Sequence, residues 1–244
     1  VLGGAHGQHL VQLDLVALEA DARAGHVETP HAGGALADLG HEVEVYGGQP
    51  YPVLDPRVEL HQLRSLDLFN DLYPGRFPAY WEFKSLADLV EVAQFSMGTF
   101  SEPLAFSLRA VKALRPRVRD FDLIHDNQCF GTGLLGMMQD GWPVVATLHH
   151  PITVDRDLEL EHASNAYRRY QLRRWYAFLG MQMKVARQMP RLVTVSQSSK
   201  RDIVAQMGVA EPEPHGEAHG RARGPVAEAE GQGGEEERDR GDGG

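Results

Sequence analysis

Several stretches of the chain alternate apolar and polar residues, or run continuously apolar for the length of a short strand. These stretches predict β-strands over residues 41–46, 57–63, 121–125, 143–149 and 191–196. Apolar residues at helical spacing predict helices over 79–96, 103–115, 132–140 and 155–189, and residues 35–40 form a helix end with Gly40 after the last turn. Strands that alternate with helices, and are too apolar for a one-sided sheet, indicate an α/β fold: a Rossmann-like parallel sheet with flanking helices.

The two ends of the chain lack this pattern. Residues 1–34 form a poorly defined N-terminal segment, in which residues 10–25 support at most one amphipathic helix. In residues 210–244, Val226 is the sole apolar residue apart from alanine and proline. Ordering costs about 1–2 kcal/mol per residue, and burying one valine returns only about 1.5–3 kcal/mol. We therefore expect a Rossmann-like domain over 35–209 and a disordered, acidic, glycine-rich tail over 210–244.

Composition changes this picture in three ways. The net charge is −10, but the tail holds ten Asp and Glu against four Arg, so the remaining chain is nearly balanced and lacks the basic surface of a nucleic-acid binder. No apolar run reaches the roughly 18 residues of a membrane span, and no leader is recognisable, so we expect a cytoplasmic protein. The single cysteine, Cys129, cannot form an internal disulfide and is expected to be buried.

Polar residues follow three consecutive predicted strands. The sequences are HDNQ at 125–128, HHP at 149–151 and SQSS at 196–199. Ligands of parallel sheets bind beyond the carboxyl ends of the strands, so we expect these ends to converge on one pocket. His149 and His150 point to opposite sides, so one ring can face the crevice. A metal site is not expected, because sequence neighbours cannot easily chelate one ion and no Cys or carboxylate lies at ligand spacing.

Gly131, Gly133 and Gly136 match the spacing of a dinucleotide-binding fingerprint between a strand and a helix. The turn before Gly131 is too long for that motif, and the next strand ends in histidines where an acidic ribose ligand is expected. The alternative interpretation is that these glycines form the N-terminus of a helix that begins near the pocket.

Residues 167–191 are both basic and aromatic. Such a helix can lie on an anionic membrane surface. The alternative is a helix packed on the sheet with a solvated basic edge, which the wide apolar arc favours.

Taken together, the sequences ALADLGHEVEVYGGQPYP, FDLIHDNQCFGTGLLG, PVVATLHHPITVDRDLEL, RRWYAFLGMQMKVAR and RLVTVSQSSKRDIVAQMGV resemble the amino-terminal domain of bacterial family 4 glycosyltransferases of the GT-B fold. The resemblance covers about residues 35–209. It implies retaining transfer of a sugar from a nucleotide-sugar donor to a sugar or lipid-linked acceptor, with no metal or other cofactor. The domain would form the acceptor side of the cleft.

The resemblance also assigns residues. His149 matches the active-site histidine of the family, while His150, Asp126, Asn127 and Ser196 fall on cleft-lining positions. Gly3 and Gly4 are a weak counterpart of the glycine-rich loop at the donor phosphates, without a convincing strand before them.

The chain departs from the family after Val209, where a second, donor-binding domain is expected and the acidic tail appears instead. We therefore expect a truncated glycosyltransferase that is inactive alone, peripheral to the inner face of the membrane if residues 167–191 contact lipid. The alternatives are a NAD(P)-binding oxidoreductase fragment and a non-catalytic ligand-binding module.

Overall fold

A parallel β-sheet forms the centre of the protein. The computed structural model describes residues 8–14, 32–69, 76–210 and 226–228. Within them, the strands are β1 (His9–Asp14), β2 (Glu42–Gly47), β3 (Glu59–Gln62), β4 (Leu123–Asn127), β5 (Val144–Thr147), β6 (Leu192–Thr194) and β7 (Val226–Glu228). The sheet order is β3-β2-β1-β4-β5-β6-β7, and every neighbouring pair is parallel.

This strand order confirms the predicted Rossmann-like architecture. From β1 the chain builds outward through β2 and β3 to one edge, then returns to β4 and builds through β5 and β6 toward the other. The direction reverses between β1 and β4, and a crevice opens at such a switch point beyond the carboxyl ends of the strands.

Strand β1 corrects the prediction for the poorly defined segment 1–34. The sequence favoured at most a helix over 10–25, yet His9–Asp14 is a central strand paired with both β2 and β4. Leu10, Val11 and Leu13 are buried there. Periodicity alone cannot distinguish a short apolar strand from a helix segment. In the structure this segment is a strand because it pairs with β2 on one side and β4 on the other. Gly3 and Gly4, assigned to a donor-phosphate loop, lie outside the described residues.

Helices cover the sheet. They are α1 (Ala32–Asp38), α2 (Leu86–Ser96), α3 (Glu102–Leu114), α4 (Gly133–Gln139), α5 (Thr153–Glu161), α6 (Ala166–Trp175), α7 (Leu179–Ala186) and α8 (Gln197–Asp202), which continues as a π-helical turn to Met207. The predicted helix over 79–96 begins late, because Ser85 and Asp88 form a capping box at the start of α2. The continuous helix predicted over 155–189 is broken, since the Asn165 side chain caps α6 by accepting a hydrogen bond from the Arg168 backbone N–H.

The main hydrophobic core lies between the sheet and helices α3, α4 and α7. Its fully buried members include Phe106, Ile124, Phe130, Leu134 and Met137. This core surrounds the point where β4 ends, so it fixes the backbone that leads out of the strand.

The glycines of the fingerprint serve helix packing. A Cβ atom on Gly133 would lie 2.5 Å from the backbone oxygen of Ser107 on α3, and one on Gly131 would clash with the same residue. The Gly133 backbone N–H donates to Ser107 Oγ at 3.2 Å. A Cβ atom on Gly136, by contrast, would meet nothing within 4 Å. Close approach of α4 to α3 therefore accounts for Gly131 and Gly133.

Strand β7 corrects part of the prediction for the tail. Val226–Glu228 pairs parallel with β6, so this stretch of the predicted disordered segment is a strand. Without β7, strand β6 would have unpaired backbone N–H and C=O groups, and a further strand can pair with them. This backbone pairing does not depend on apolar side chains, so the composition of the tail did not predict it. Residues 211–225 and 229–244 lie outside the described residues.

The packing of α4 against α3 gives a stability prediction. Gly133→Ala should lower the free energy of unfolding by about 1–3 kcal/mol, because the new methyl group overlaps the Ser107 backbone. Gly136→Ala is the matched control and should be neutral or stabilising by up to about 1 kcal/mol, because it removes a glycine from a helix without a clash. Urea unfolding followed by circular dichroism measures both. Equal stability of the two variants would contradict the packing role of Gly133.

Candidate active site at the ends of strands β4 and β5

The sheet brings the predicted polar strand ends together. Strands β4, β5 and β6 are neighbours, and Asn127 at the end of β4 lies in register with Thr147 at the end of β5. His149 lies two residues after the end of β5, and Ser196 lies two residues after the end of β6. The carboxyl ends of all three strands lie at the same edge of the sheet, as the sequence predicted.

His149 is tied to strand β4 by side chain and backbone. Its Nε2 lies 2.8 Å from Asn127 Oδ1, and its backbone N–H donates to Gln128 Oε1 at 2.7 Å. An amide oxygen only accepts hydrogen bonds, so Nε2 carries the proton. In the neutral ring, Nδ1 then holds the lone pair. Asn127 therefore sets both the orientation and the tautomer of the His149 imidazole.

The turn after β4 has an unusual backbone. Gln128 and Phe130 have positive φ angles of 58° and 47°, a left-handed conformation that is strained for residues other than glycine. Asp126 Oδ2 accepts from the Phe130 N–H at 3.0 Å, and Gln182 on α7 donates to the Cys129 carbonyl at 3.0 Å. These contacts hold Gln128 in the position from which it reaches His149.

The Asp126 carboxylate holds this turn. The residue is fully buried, and one carboxylate oxygen is committed to the Phe130 N–H. The cleft-lining position that the resemblance assigns to Asp126 stays a prediction, and in the structure its carboxylate holds the turn after β4. Buried polar groups keep their hydrogen bonds, and Asp126 uses its own to fix the turn that carries Gln128.

Cys129 is buried inside the same turn, as predicted. Its Sγ donates to the Pro103 carbonyl at 3.3 Å, and burial raises the pKa of the thiol well above its usual value. The thiolate is the reactive form of cysteine, so this residue is a packing element and not a nucleophile.

His150 and Ser196 lie at the edges of the site. The His150 side chain is 55% exposed, and its Nε2 lies 3.2 Å from Asp155 Oδ2 in the first turn of α5. Ser196 is the N-cap of α8, where its Oγ accepts from the Ser199 N–H at 3.0 Å. Both side chains already have local partners, which leaves His149 and Asn127 as the central pair.

His125 belongs to the HDNQ motif, but the sequence assigned it no role of its own. Its Nε2 lies 2.7 Å from Thr147 Oγ1, and it shares a strand face with Asn127, two residues on. Burial, together with the nearby His149, lowers the pKa of His125 to about 4. His125 is therefore neutral at physiological pH. Side chains two residues apart in a strand lie on the same face, so the spacing of His125 and Asn127 could have identified it.

One cluster within the described part of the chain has the donor spacing of a metal site. Ligand atoms of Glu44, Glu59 and His61 lie within 4.8 Å of one another, on strands β2 and β3. Arg117 occupies both Glu44 oxygens at 2.7 Å. Burial alone would raise the pKa of Glu44, but hydrogen bonds and charge from Arg117 and His61 outweigh it and lower that pKa. A guanidinium already neutralises this carboxylate, so the cluster is an ion-pair network.

Comparison with known proteins gives two sequence findings. A family model described as Glycosyltransferase Family 4 matches residues 29–215. The MMP alpha-(1->4)-mannosyltransferase of Mycolicibacterium hassiacum is 49% identical over 186 residues, which cover 76% of this chain and 45% of that protein. The chain thus spans less than half the length of this relative.

Two solved structures show partial similarity. Sucrose-phosphate synthase from Thermosynechococcus elongatus matches with a TM-score of 0.49 and 13% identity over 91% of this chain and 47% of that chain. The alpha,alpha-trehalose 6-phosphate synthase from Burkholderia multivorans matches with a TM-score of 0.46 and 15% identity, over 91% and 49% of the respective chains.

The depressed pKa of His125 predicts a pH-dependent stability. Between pH 6.5 and about 4 the unfolded chain binds a proton at His125 that the folded chain does not, so the free energy of unfolding falls as pH falls. The loss is up to about 1.4 kcal/mol per pH unit. In His125→Gln, whose amide can still bond Thr147, this loss should disappear. Urea unfolding at pH 7, 6 and 5 compares the two proteins. A stability difference that does not change with pH would rule out a depressed His125 pKa.

Proposed function

The chain belongs to glycosyltransferase family 4, and from that membership we propose that it forms the acceptor side of a glycosyl-transfer cleft, one half of a GT-B fold. The sugar comes from a nucleotide-sugar donor and passes to an acceptor hydroxyl with retention of configuration. The observation that carries the proposal is the pairing of His149 with Asn127 at the strand ends, in a chain of this family.

The name of the Mycolicibacterium relative suggests a finer assignment. That protein is called an alpha-(1->4)-mannosyltransferase, and it is 49% identical to this chain over the matched region. We extend the reaction class to this chain: a mannosyl donor, and an acceptor sugar that presents its 4-hydroxyl group. The acceptor would then be a saccharide whose free end reaches the lip of the β4–β5 crevice.

His149 suits a role at the reacting hydroxyl. A ring with its proton fixed on Nε2 by Asn127 offers Nδ1 to a hydroxyl proton, and it can steady charge that develops as the bond to the diphosphate breaks. Such transfer needs no nucleophile from the protein. The buried Asp126 carboxylate, engaged with the Phe130 N–H, is in keeping with that requirement.

The oxidoreductase alternative loses its main support. Gly131 and Gly133, the core of the dinucleotide fingerprint, are explained by contact with Ser107 on α3. No separate observation favours a non-catalytic binding module over transfer.

The donor side of the reaction needs further protein surface. The described residues build one sheet, and the matched region covers 45% of the relative. We propose that the described domain binds the acceptor and is inactive without a donor-binding partner domain.

A hybrid enzyme tests the role of His149. Residues 8–209, which include the central strand β1, would replace the corresponding half of the Mycolicibacterium enzyme, and mannosyl transfer would be measured with a nucleotide-sugar donor and an oligosaccharide acceptor. His149→Ala should lower kcat by about 10² or more, because a positioned polar group contributes on that scale. His162→Ala, an exposed histidine at the end of α5, is the control.

The stability of the His149 variant must be measured in parallel. We expect Tm to stay close to that of the parent, because His149 is only partly buried. Unchanged turnover with a collapsed Tm would assign His149 to packing. Acceptor binding to the parent chain, followed by tryptophan fluorescence, provides a readout that does not depend on the hybrid.

For membrane contact we propose helix α6 alone. Within residues 167–191, Tyr176, Phe178 and Leu179 are buried in a small core with Phe100, so the second half of this stretch packs on the protein. On α6 the exposed residues include Tyr167, Tyr170 and three arginines: Arg168, Arg169 and Arg173. None of the described helices has the length and apolar character needed to cross a bilayer. A basic, aromatic helix surface suits peripheral contact with anionic lipid.

Reversing one charge on α6 should weaken vesicle binding. Arg173→Glu should lower partitioning onto phosphatidylglycerol vesicles roughly thirtyfold, at about 1 kcal/mol for each charge removed or added. Arg119→Glu, an exposed arginine before β4, makes the same charge change away from α6 and should have a smaller effect. Sedimentation with phosphatidylglycerol and phosphatidylcholine vesicles measures the difference. Equal effects of both variants would remove α6 as the contact surface.

A further inference from the structure

A second cavity lies beside the edge strand β3, between helices α2 and α3. Its volume is about 370 Å³. Its lining includes the polar and basic side chains of Gln62, Arg64, Ser65, Lys84, Arg109 and Lys112. It shares none of its lining residues with the His149 site, and the transfer mechanism does not use it.

Arg109 is the central feature of this cavity. Its side chain is only 9% exposed, and it forms ion pairs with Asp88 at 2.6 Å and with Glu91. Both pairs use Nη2. Nη1 is buried and has no hydrogen-bond partner among the described residues. A buried donor left unpaired is costly, and a ligand oxygen would satisfy it.

The charges around Arg109 favour an anion. Lys84 and Lys112 line the cavity, and neither side chain forms an ion pair within the described part of the chain. Glu82, which also lines the cavity, already binds Arg76 and lies 3.9 Å from Arg64. The acidic lining groups are thus engaged, while two lysines are not.

Of the acidic residues beneath Arg109, Glu102 contributes little negative charge. Burial, reinforced by repulsion from Glu91, raises the pKa of Glu102 to about 8, so Glu102 is mostly protonated at neutral pH. Burial also raises the pKa of Glu91. Asp88 and Glu91 both pair with Arg109, and the second oxygen of Asp88 caps α2.

We propose that this cavity binds the phosphate group of a small phosphorylated ligand. The phosphate oxygens accept from Arg109 Nη1 and from the ammonium groups of Lys84 and Lys112. The volume also admits a sugar-sized body, and Gln62, Ser65 and Ser85 supply hydrogen-bonding groups for its hydroxyls. The site is independent of the proposed transfer reaction, because it uses different residues.

Calorimetric titration of the full chain with inorganic phosphate, glucose 6-phosphate and glucose tests the proposal. We expect saturable binding of glucose 6-phosphate that weakens as sodium chloride is added, and no binding of glucose. Binding of inorganic phosphate alone would also support the site and would limit recognition to the anion. Absence of saturable binding for both phosphate compounds would overturn the proposal.

Variants locate the bound anion. Lys112→Ala and Lys84→Ala are exposed substitutions that leave the buried ion pairs intact, and each should weaken phosphate binding about tenfold. Lys184→Ala, an exposed lysine on α7, is the matched control and should leave the affinity unchanged. If all three variants bind like the parent chain, the anion lies elsewhere and the proposal fails.

Discussion

The left-handed turn from Gln128 to Phe130 is the constraint on which the candidate site depends. The backbone there adopts a conformation that glutamine and phenylalanine do not prefer, and it persists because Asp126, Gln182 and the buried Phe130 ring hold it. If the turn relaxed, the Gln128 side chain would lose the His149 backbone N–H, and the Asn127 side chain alone would hold His149 to the end of β4. The buried Asp126 carboxylate thereby supports the position of the His149 imidazole through the turn.

Helix α3 connects features that appear separate in the sequence. Ser107 on this helix contacts Gly131 and Gly133, Pro103 accepts from Cys129, and Arg109 lines the second cavity. One face of α3 therefore supports the turn after β4, while the other carries the buried ion pairs with α2. The glycine spacing that resembles a nucleotide-binding motif is a product of this helix contact.

The strand ends were predictable because each combines a short apolar run with polar residues at its close, and parallel pairing then fixes where those residues meet. Strand β1 was missed because a short apolar run carries no periodicity that excludes a helix, and only pairing with β2 and β4 resolves it. The roles of Asp126 and Ser196 were not readable either. Whether a polar side chain after a strand faces a cleft, caps a helix or braces a turn depends on backbone angles that the sequence does not state. The family resemblance was confirmed because it rested on the order and spacing of several strand ends.

The burial of Cys129 has a practical consequence. It is the sole cysteine of the chain, and its thiol is enclosed and held in the protonated form. Maleimide reagents attack the exposed thiolate, so they would leave the native protein unmodified. A cysteine introduced at an exposed point such as position 150 could therefore carry a fluorophore or spin label alone, without first removing the native thiol. One label at position 150 would thus report local mobility and ligand binding at the edge of the candidate site.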